Sequence, residues 1–129
     1  MAKTQGKTVA VTGAAGYIGG RLIELLETDP SVDRILAFDV RDTGFAPGGK
    51  TVFDSMDVRD PALGTRFDGV DTVIHMAASR GAQPFDVHYN ANVIGTYNVL
   101  EASRDAGVRR VVLASTGAVV AGYEKDEPY

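Results

Sequence analysis

The stretch Thr8-Val9-Ala10-Val11-Thr12 is apolar without alternation and runs directly into Gly13, after which Gly16 and Gly19 recur at three-residue intervals. A strand that does not alternate is covered on both faces, the condition of a parallel sheet sandwiched between helices. Beyond the glycines, Ile18, Leu22, Leu25 and Leu26 fall at helical spacing, which predicts an amphipathic helix from Tyr17 to about Thr28. Strand, glycine turn and helix in that order open a β-α-β unit, and few other architectures begin this way.

The remaining segments extend the same pattern. "TDPSVDR" breaks the first helix, Ile35 to Asp39 reads as a second buried strand, and "RDTGFAPGGK" is a loop of turn formers. Thr51 to Asp57 is a weaker third strand, "PALGTRF" a short crossover, and Asp71 to His75 a fourth strand ending in small residues. A helix from about Val87 to Ala106 carries Val93, Tyr97 and Leu100 on its sheet-facing stripe, and Val111 to Ala114 forms a fifth strand. With 129 residues there is room for one domain and one ordinary core. The expected fold is a three-layer α/β, doubly wound parallel sheet of the Rossmann type, its five strands in order 3-2-1-4-5.

Composition removes several function classes. Hydrophobic residues at 44% and charged residues at 23% are those of a globular domain, and a net charge of -4 with scattered basic residues argues against a nucleic-acid partner. The chain has no cysteine, and His75 and His88 do not cluster with carboxylates at ligand spacing, so no metal is expected. The first residues are too short and too interrupted for a signal segment or membrane span, which leads to an expectation of a cytoplasmic protein without a membrane partner.

The glycines have a chemical reading. A pyrophosphate at a helix N-terminus needs backbone within hydrogen-bonding distance, and a Cβ at the turn would hold it away. Gly13, Gly16 and Gly19 remove that obstacle, and the N–H groups around Tyr17 and Ile18 are placed to donate to the anion. Asp39, with Val40 beside it, ends the second strand twenty residues beyond Gly19, from where a carboxylate accepts hydrogen bonds from ribose hydroxyls. The same acid opposes a 2′-phosphate by about 4 kcal/mol at ~4 Å and an effective dielectric of ~20, favouring NAD over NADP, with Arg41 as the nearby cation that keeps NADP accessible.

These features, taken together, resemble the NAD-dependent epimerase/dehydratase family, the extended short-chain dehydrogenase/reductases. "TGAAGYIGG" is similar to its TGxxGxxG loop, "DVRD" at Asp57 to Asp60 to its adenine-contacting pair, and "VIHMAA" to its fourth-strand HxAA element. "NVIGTYNVLEAS" resembles its NxxGTxNxLEA helix, and "VVLAST" its fifth-strand end with a catalytic Ser or Thr. The resemblance implies that Asp57 and Val58 flank the adenine and that Met76, Ala77 and Ala78 line the cofactor. It also implies that Asn92 bonds main chain beneath the site, whereas His75, inside an apolar strand, reads as a core histidine rather than a catalyst.

Catalysis in that family uses a Tyr, a Lys four residues later that lowers the Tyr pKa, and a Ser or Thr that hydrogen-bonds the substrate oxygen. Thr116 matches the last role, with Ser115 as the neighbouring candidate, because "TGAVVAG" carries one residue more than the family spacing. Tyr-x-x-x-Lys is absent: Tyr123 precedes Glu127 by four, and Tyr129 is the last residue. The chain reads as one NAD(P)-binding domain over residues 1–129, cut before that segment. Two functions fit: part of an oxidoreductase acting on a sugar or nucleotide sugar, or a module that binds NAD without turnover. Ile94 and Val99, off the sheet-facing stripe, widen the apolar surface of the 87–106 helix, and together with the bare fifth strand they imply a homo-oligomer.

Overall fold

The computed structural model describes residues 6–42 and 49–119. Strands β1 (Lys7–Thr12), β2 (Val32–Asp39), β3 (Thr51–Ser55), β4 (Thr72–His75) and β5 (Arg110–Leu113) form one sheet, all neighbours parallel, in order β3-β2-β1-β4-β5. Helices α1 (Tyr17–Thr28), α2 (Leu63–Arg66), α3 (Phe85–His88) and α4 (Gly95–Asp105) connect them, with a π-helical turn at Tyr89–Ile94 between α3 and α4 and a 3-10 turn at Gly117–Val119. This is the doubly wound Rossmann arrangement expected from the strand and helix periods.

Covering both faces explains the non-alternating strands. Val9 and Val11 of β1 bury on the α1 side with Ala14, Ile23, Val32, Ile35 and Ala37. Ala10, one residue out of phase, buries on the opposite face with Phe38, Val58, Phe67, Val73, Val99 and Ala102. Phe38 and Phe67 meet edge to face at 5.9 Å between ring centroids, closing the second core under α2. Each fully buried aliphatic or aromatic side chain contributes about 1.5–3 kcal/mol, so neither layer can be lost without unfolding the sheet.

Three expectations are corrected. β2 begins at Val32, not Ile35, because Val32 pairs with Lys7 and is buried while Asp33 and Arg34 face outward and mask the strand. β3 ends at Ser55 rather than Asp57, since the chain turns at Asp57, whose carbonyl accepts from Asp60 N–H at 2.9 Å. The sheet-facing side of α4 is Gly95, Val99, Ala102 and Ser103, all buried, whereas Val93, Tyr97 and Leu100 are exposed. Small residues let α4 approach closely: a Cβ on Gly95 would lie 2.6 Å from Val58 Cγ2. The wide π turn also shifts the helical phase between residues 89 and 94, so one 3.6-residue stripe cannot describe both sides of it. Among the described residues no helix is long and apolar enough to cross a membrane.

Candidate dinucleotide site

The carboxyl ends of β1, β2 and β4 converge at the glycine loop. Gly13 adopts φ +72°, and a Cβ there would lie 2.7 Å from Ala77 N and 2.8 Å from the Met76 carbonyl carbon, so the turn rests directly on the end of β4. Gly16 N–H donates to Gly13 O at 3.0 Å, and Gly20 N–H makes the first closure onto Gly16 O at 2.9 Å. The N–H groups of Tyr17, Ile18 and Gly19 precede that closure, so helix geometry gives them no carbonyl. Tyr17 and Ile18 are exposed and Gly19 is buried, its place for a Cβ filled by Gly13 O at 2.2 Å. An oxyanion fits that cradle of free donors and absent side chains.

Asp39 is held at the same loop. Its Oδ2 accepts from Ala15 N–H at 3.0 Å and its Oδ1 from Arg41 N–H at 3.0 Å, with the side chain only 8% exposed. Arg41 stands beside it, Nε 3.6 Å from Asp39 Oδ1 and Nη2 donating to Ala15 O at 3.4 Å. Val40 points outward. Each Asp39 oxygen keeps a second lone pair, and the residues present therefore fit a diol next to a pyrophosphate.

Beneath the loop lies a buried chain that the sequence did not reveal. Thr12 Oγ1 accepts from both Met76 N–H and Ala77 N–H at 3.2 Å, which uses its two lone pairs. Its hydroxyl proton therefore goes to His75 Nδ1 at 2.6 Å, and His75 carries its own proton on Nε2, donating to Thr96 Oγ1 at 3.0 Å. Burial holds the His75 pKa below its ordinary value, in keeping with a neutral ring. The order α4, β4, β1, glycine turn is thus wired by side chains, and His75 is a core histidine. The one signal in the sequence was a threonine closing an apolar strand immediately before a glycine.

The other expected residues line the same edge of the sheet. Asp57 follows β3, and its carboxylate is engaged by Arg59, whose hydrogen bonds hold the Asp57 pKa below the usual range. Val58 is buried under Gly95, so its side chain belongs to the core rather than to an open ring-binding surface. Met76 and Ala77 form the shelf under Gly13, with Ala78 exposed after them. Asn92, in the π turn, accepts from Ser79 N–H at 2.8 Å and donates to Ser79 O at 3.1 Å, pinning the loop after β4. His88 adds a second pin, donating from Nε2 to Gly81 O at 3.0 Å. Ser115 and Thr116 follow β5 and are exposed; Thr116 Oγ1 accepts from Ala118 N–H at 3.2 Å. Tyr123 and Tyr129 lie outside the described residues.

A parallel sheet with glycines at the first β-α turn, an acid at the end of β2 and donors at a helix N-terminus defines a dinucleotide-binding fold. The model of the NAD dependent epimerase/dehydratase family matches residues 9–129, and the chain belongs to that family. It is 40% identical over 113 residues to L-arabinose 1-dehydrogenase (NAD(P)(+)) of Haloferax volcanii, covering 86% of this chain and 41% of that protein. The solved structure of glucuronic acid dehydrogenase from Chromohalobacter salexigens superposes with a TM-score of 0.82 at 30% identity, covering 91% of this chain and 42% of that one. MoeE5 in complex with UDP-glucose and NAD superposes at 0.79 with 34% identity, over 91% of this chain and 39% of that one. The chain spans about two-fifths of the length of these relatives.

Proposed function

We propose that these 129 residues are a single domain that holds NAD for a sugar or nucleotide-sugar oxidoreductase, and that by themselves they bind the cofactor without turning over substrate. The observation that carries this reading is the joint at Ala15, where the glycine loop donates to the Asp39 carboxylate and so couples a pyrophosphate cradle to a ribose acceptor. Gly13, Gly16, Gly19 and the N–H groups of Tyr17 and Ile18 hold the pyrophosphate; Asp39 and Val40 hold the adenosine ribose, Asp57 and the Val58 main chain the adenine. Met76, Ala77 and Ala78, on the shelf fixed by Thr12, line the path toward the nicotinamide, with Asn92 holding the neighbouring loop. The bound cofactor supplies hydride acceptance and donation. Ser115 and Thr116 are the hydroxyls at the end of β5 suited to a substrate oxygen.

Turnover needs a proton mover, and no tyrosine in the 129 residues is followed four positions later by lysine. Binding is separable from that deficit. Similarity to a uronic acid dehydrogenase, a pentose dehydrogenase and a UDP-glucose complex supports a sugar-type substrate for the whole protein. NAD is the preferred cofactor, with Arg41 able to turn toward a 2′-phosphate.

Association with a second copy belongs to the same reading. Phe85, Tyr89, Val93, Tyr97 and Leu100 form an exposed apolar stripe along α3, the π turn and α4, with Phe85 and Tyr89 stacked at 5.9 Å. β5 adds exposed Val112 and Leu113 at the sheet edge.

The test is direct. The chain has no tryptophan whose emission would overlap NADH, and calorimetry reads binding independently. Saturable NAD binding, weaker NADP binding and no NAD reduction with pentoses, hexoses or uronic acids is the expected result. Absence of NAD binding would overturn the assignment, and robust turnover would overturn its second half.

A further inference from the structure

Asp68 and Gly69 form the only Asp-Gly step in the 129 residues, and no asparagine precedes a glycine. The pair sits in the turn between α2 and β4, where both residues are exposed while their neighbours Phe67 and Val70 are buried, at 0% and 4% exposure. Gly69 adopts φ +71°, and apart from its chain neighbours no atom stands within 4 Å of the place a Cβ would take. The turn is closed one residue later, by Val70 N–H donating to Phe67 O at 3.0 Å.

Most aspartates of the fold are tied down. Asp33 accepts from Gly6 N–H at 2.9 Å, Asp60 from Ala62 N–H at 2.8 Å, and Asp71 from the Arg109 guanidinium at 3.1 Å. Asp68 makes no side-chain hydrogen bond or ion pair among the described residues. Arg66, two residues before it, is turned to Asp54 at 3.3 Å. The Asp68 side chain borders an open cleft of about 260 Å3 over Leu36 and Val52, so neither a partner nor a packed wall fixes its χ angles.

We propose that Asp68–Gly69 is a self-modification site of the folded chain, where the main chain rearranges through a cyclic imide to isoaspartate. The Gly69 nitrogen attacks Cγ of the Asp68 carboxylic acid: the N–Cγ bond forms, the Cγ–OH bond breaks, and the hydroxyl leaves as water with the amide proton. Water then opens the ring. Addition at Cγ restores aspartate, whereas addition at the Asp68 main-chain carbonyl leaves the chain running through Cβ and Cγ, one carbon longer, with a new carboxylate on Cα. The reacting atoms belong to adjacent residues, so ring closure is intramolecular and needs only side-chain and peptide rotation. Glycine is the one successor without a side chain in the way, and the open side of Gly69 leaves room for the ring. The added carbon falls between two residues of one core, Phe67 and Val70, and opens the hydrogen bond that joins them. Just beyond, Asp71 N–H donates to Thr8 O at 2.9 Å, at the opposite end of β1 from the glycine loop, so the change is felt as stability.

The test is to hold the purified chain for weeks in mildly acidic buffer, folded and in guanidinium chloride, and to map isoaspartate in its peptides by electron-transfer mass spectrometry, with the cyclic imide read as the loss of one water. Asp68 should be the modified residue in the folded chain, at no less than about a tenth of its rate in the unfolded one, because an exposed turn opens at little cost. The aged folded chain should melt about 2–7 °C lower where it carries the product, from one lost turn bond. Asp68→Glu keeps the charge but needs a larger ring, and should neither accumulate product nor lose melting temperature. A folded chain that modifies more slowly than that shows the turn protecting the pair and overturns the inference. Product shared among the other aspartates, or an unfolded chain that forms none at Asp68, overturns it as well. If aged Asp68→Glu falls in melting temperature as far as the unaltered chain, the loss arises elsewhere and the link from this turn to stability is overturned.

Discussion

Gly19 and Gly20 are adjacent, both in the first turn of α1, and should respond to alanine in opposite directions. At Gly20 the nearest atom to an added Cβ is Ala14 O at 3.9 Å, an ordinary contact. Replacing a helical glycine there relieves backbone entropy, and Gly20→Ala should stabilise by about 0.5–1 kcal/mol. At Gly19 the added Cβ would stand 2.2 Å from Gly13 O and 3.0 Å from Ala14 Cα, and each neighbour is main chain. Gly13 cannot yield, because its own α-carbon is backed by Met76 and Ala77 and its carbonyl accepts from Gly16 N–H.

An inserted methyl without room costs about 1–3 kcal/mol, and a lost turn bond adds about 0.5–1.5. Set against the same helical gain, Gly19→Ala should destabilise by about 2–3 kcal/mol. For a chain of this length, that is a fall in Tm of roughly 6–15 °C, against a rise of roughly 2–5 °C for Gly20→Ala. Circular dichroism melts read both, and NADH titration should show about tenfold or greater loss for Gly19→Ala with Gly20→Ala within about twofold. A Gly19→Ala variant melting within about 2 °C of the unaltered chain, or equal losses in the two variants, would refute the claim that the loop is packed against β4 rather than free to adjust.

Three further outcomes follow from the same geometry. Thr12→Val strips Met76, Ala77 and His75 of their shared partner and should cost about 2–3 kcal/mol in urea unfolding, while Thr12→Ser, which keeps the hydroxyl, should cost about 1 or less. Because burial lowers the His75 pKa in the folded state, its contribution is fully present above the ordinary value near 6.5; stability should then fall by up to about 1.4 kcal/mol per unit as pH drops, until the folded value is passed. Urea midpoints at several pH values check this, and His75→Gln should flatten the slope; the depressed carboxylates Glu27, Asp57 and Asp71 lose their contributions as pH falls below the ordinary carboxylate range through their own lowered folded values. Tyr97→Glu on the exposed stripe should shift the chain toward monomer in light scattering at micromolar concentration, and an unaltered chain that is already strictly monomeric would remove the second copy from the proposal.

The fold was legible because its dominant signals are local. Five apolar runs, one glycine-marked turn and two helical periods each act within about a dozen residues, and the parallel, doubly wound order follows from connection rules. Gly13, Gly16 and Gly19 were legible for the same reason, since their spacing expresses one turn of chain, and Asp39 was marked by its place at the end of the second strand. The face of α4 was not. Large apolar side chains mark the buried stripe only when the partner surface has room for them, and here Gly95 and Ala102 pack in the layer where Val58 comes up under the helix. The close approach is a property of two segments some forty residues apart, written in neither.

The tetrapeptide Asp-Val-Arg-Asp, at 39–42 and again at 57–60, makes the same argument. One tetrapeptide, one turn and one main-chain hydrogen bond are specified locally and appear in both copies. What differs is whether α4 lies above: it buries Val58 and takes the Val58 and Arg59 carbonyls through Asn98, while Val40 stays exposed. Residue identity therefore sets which interactions are available, and tertiary cover decides which are made. A motif scan assigns both aspartates to cofactor binding on equal terms. The structure separates them into an acid whose arginine stands 3.6 Å off and an acid whose arginine hydrogen-bonds both of its oxygens, so perturbing Arg41 should change the choice between NAD and NADP more than perturbing Arg59 does.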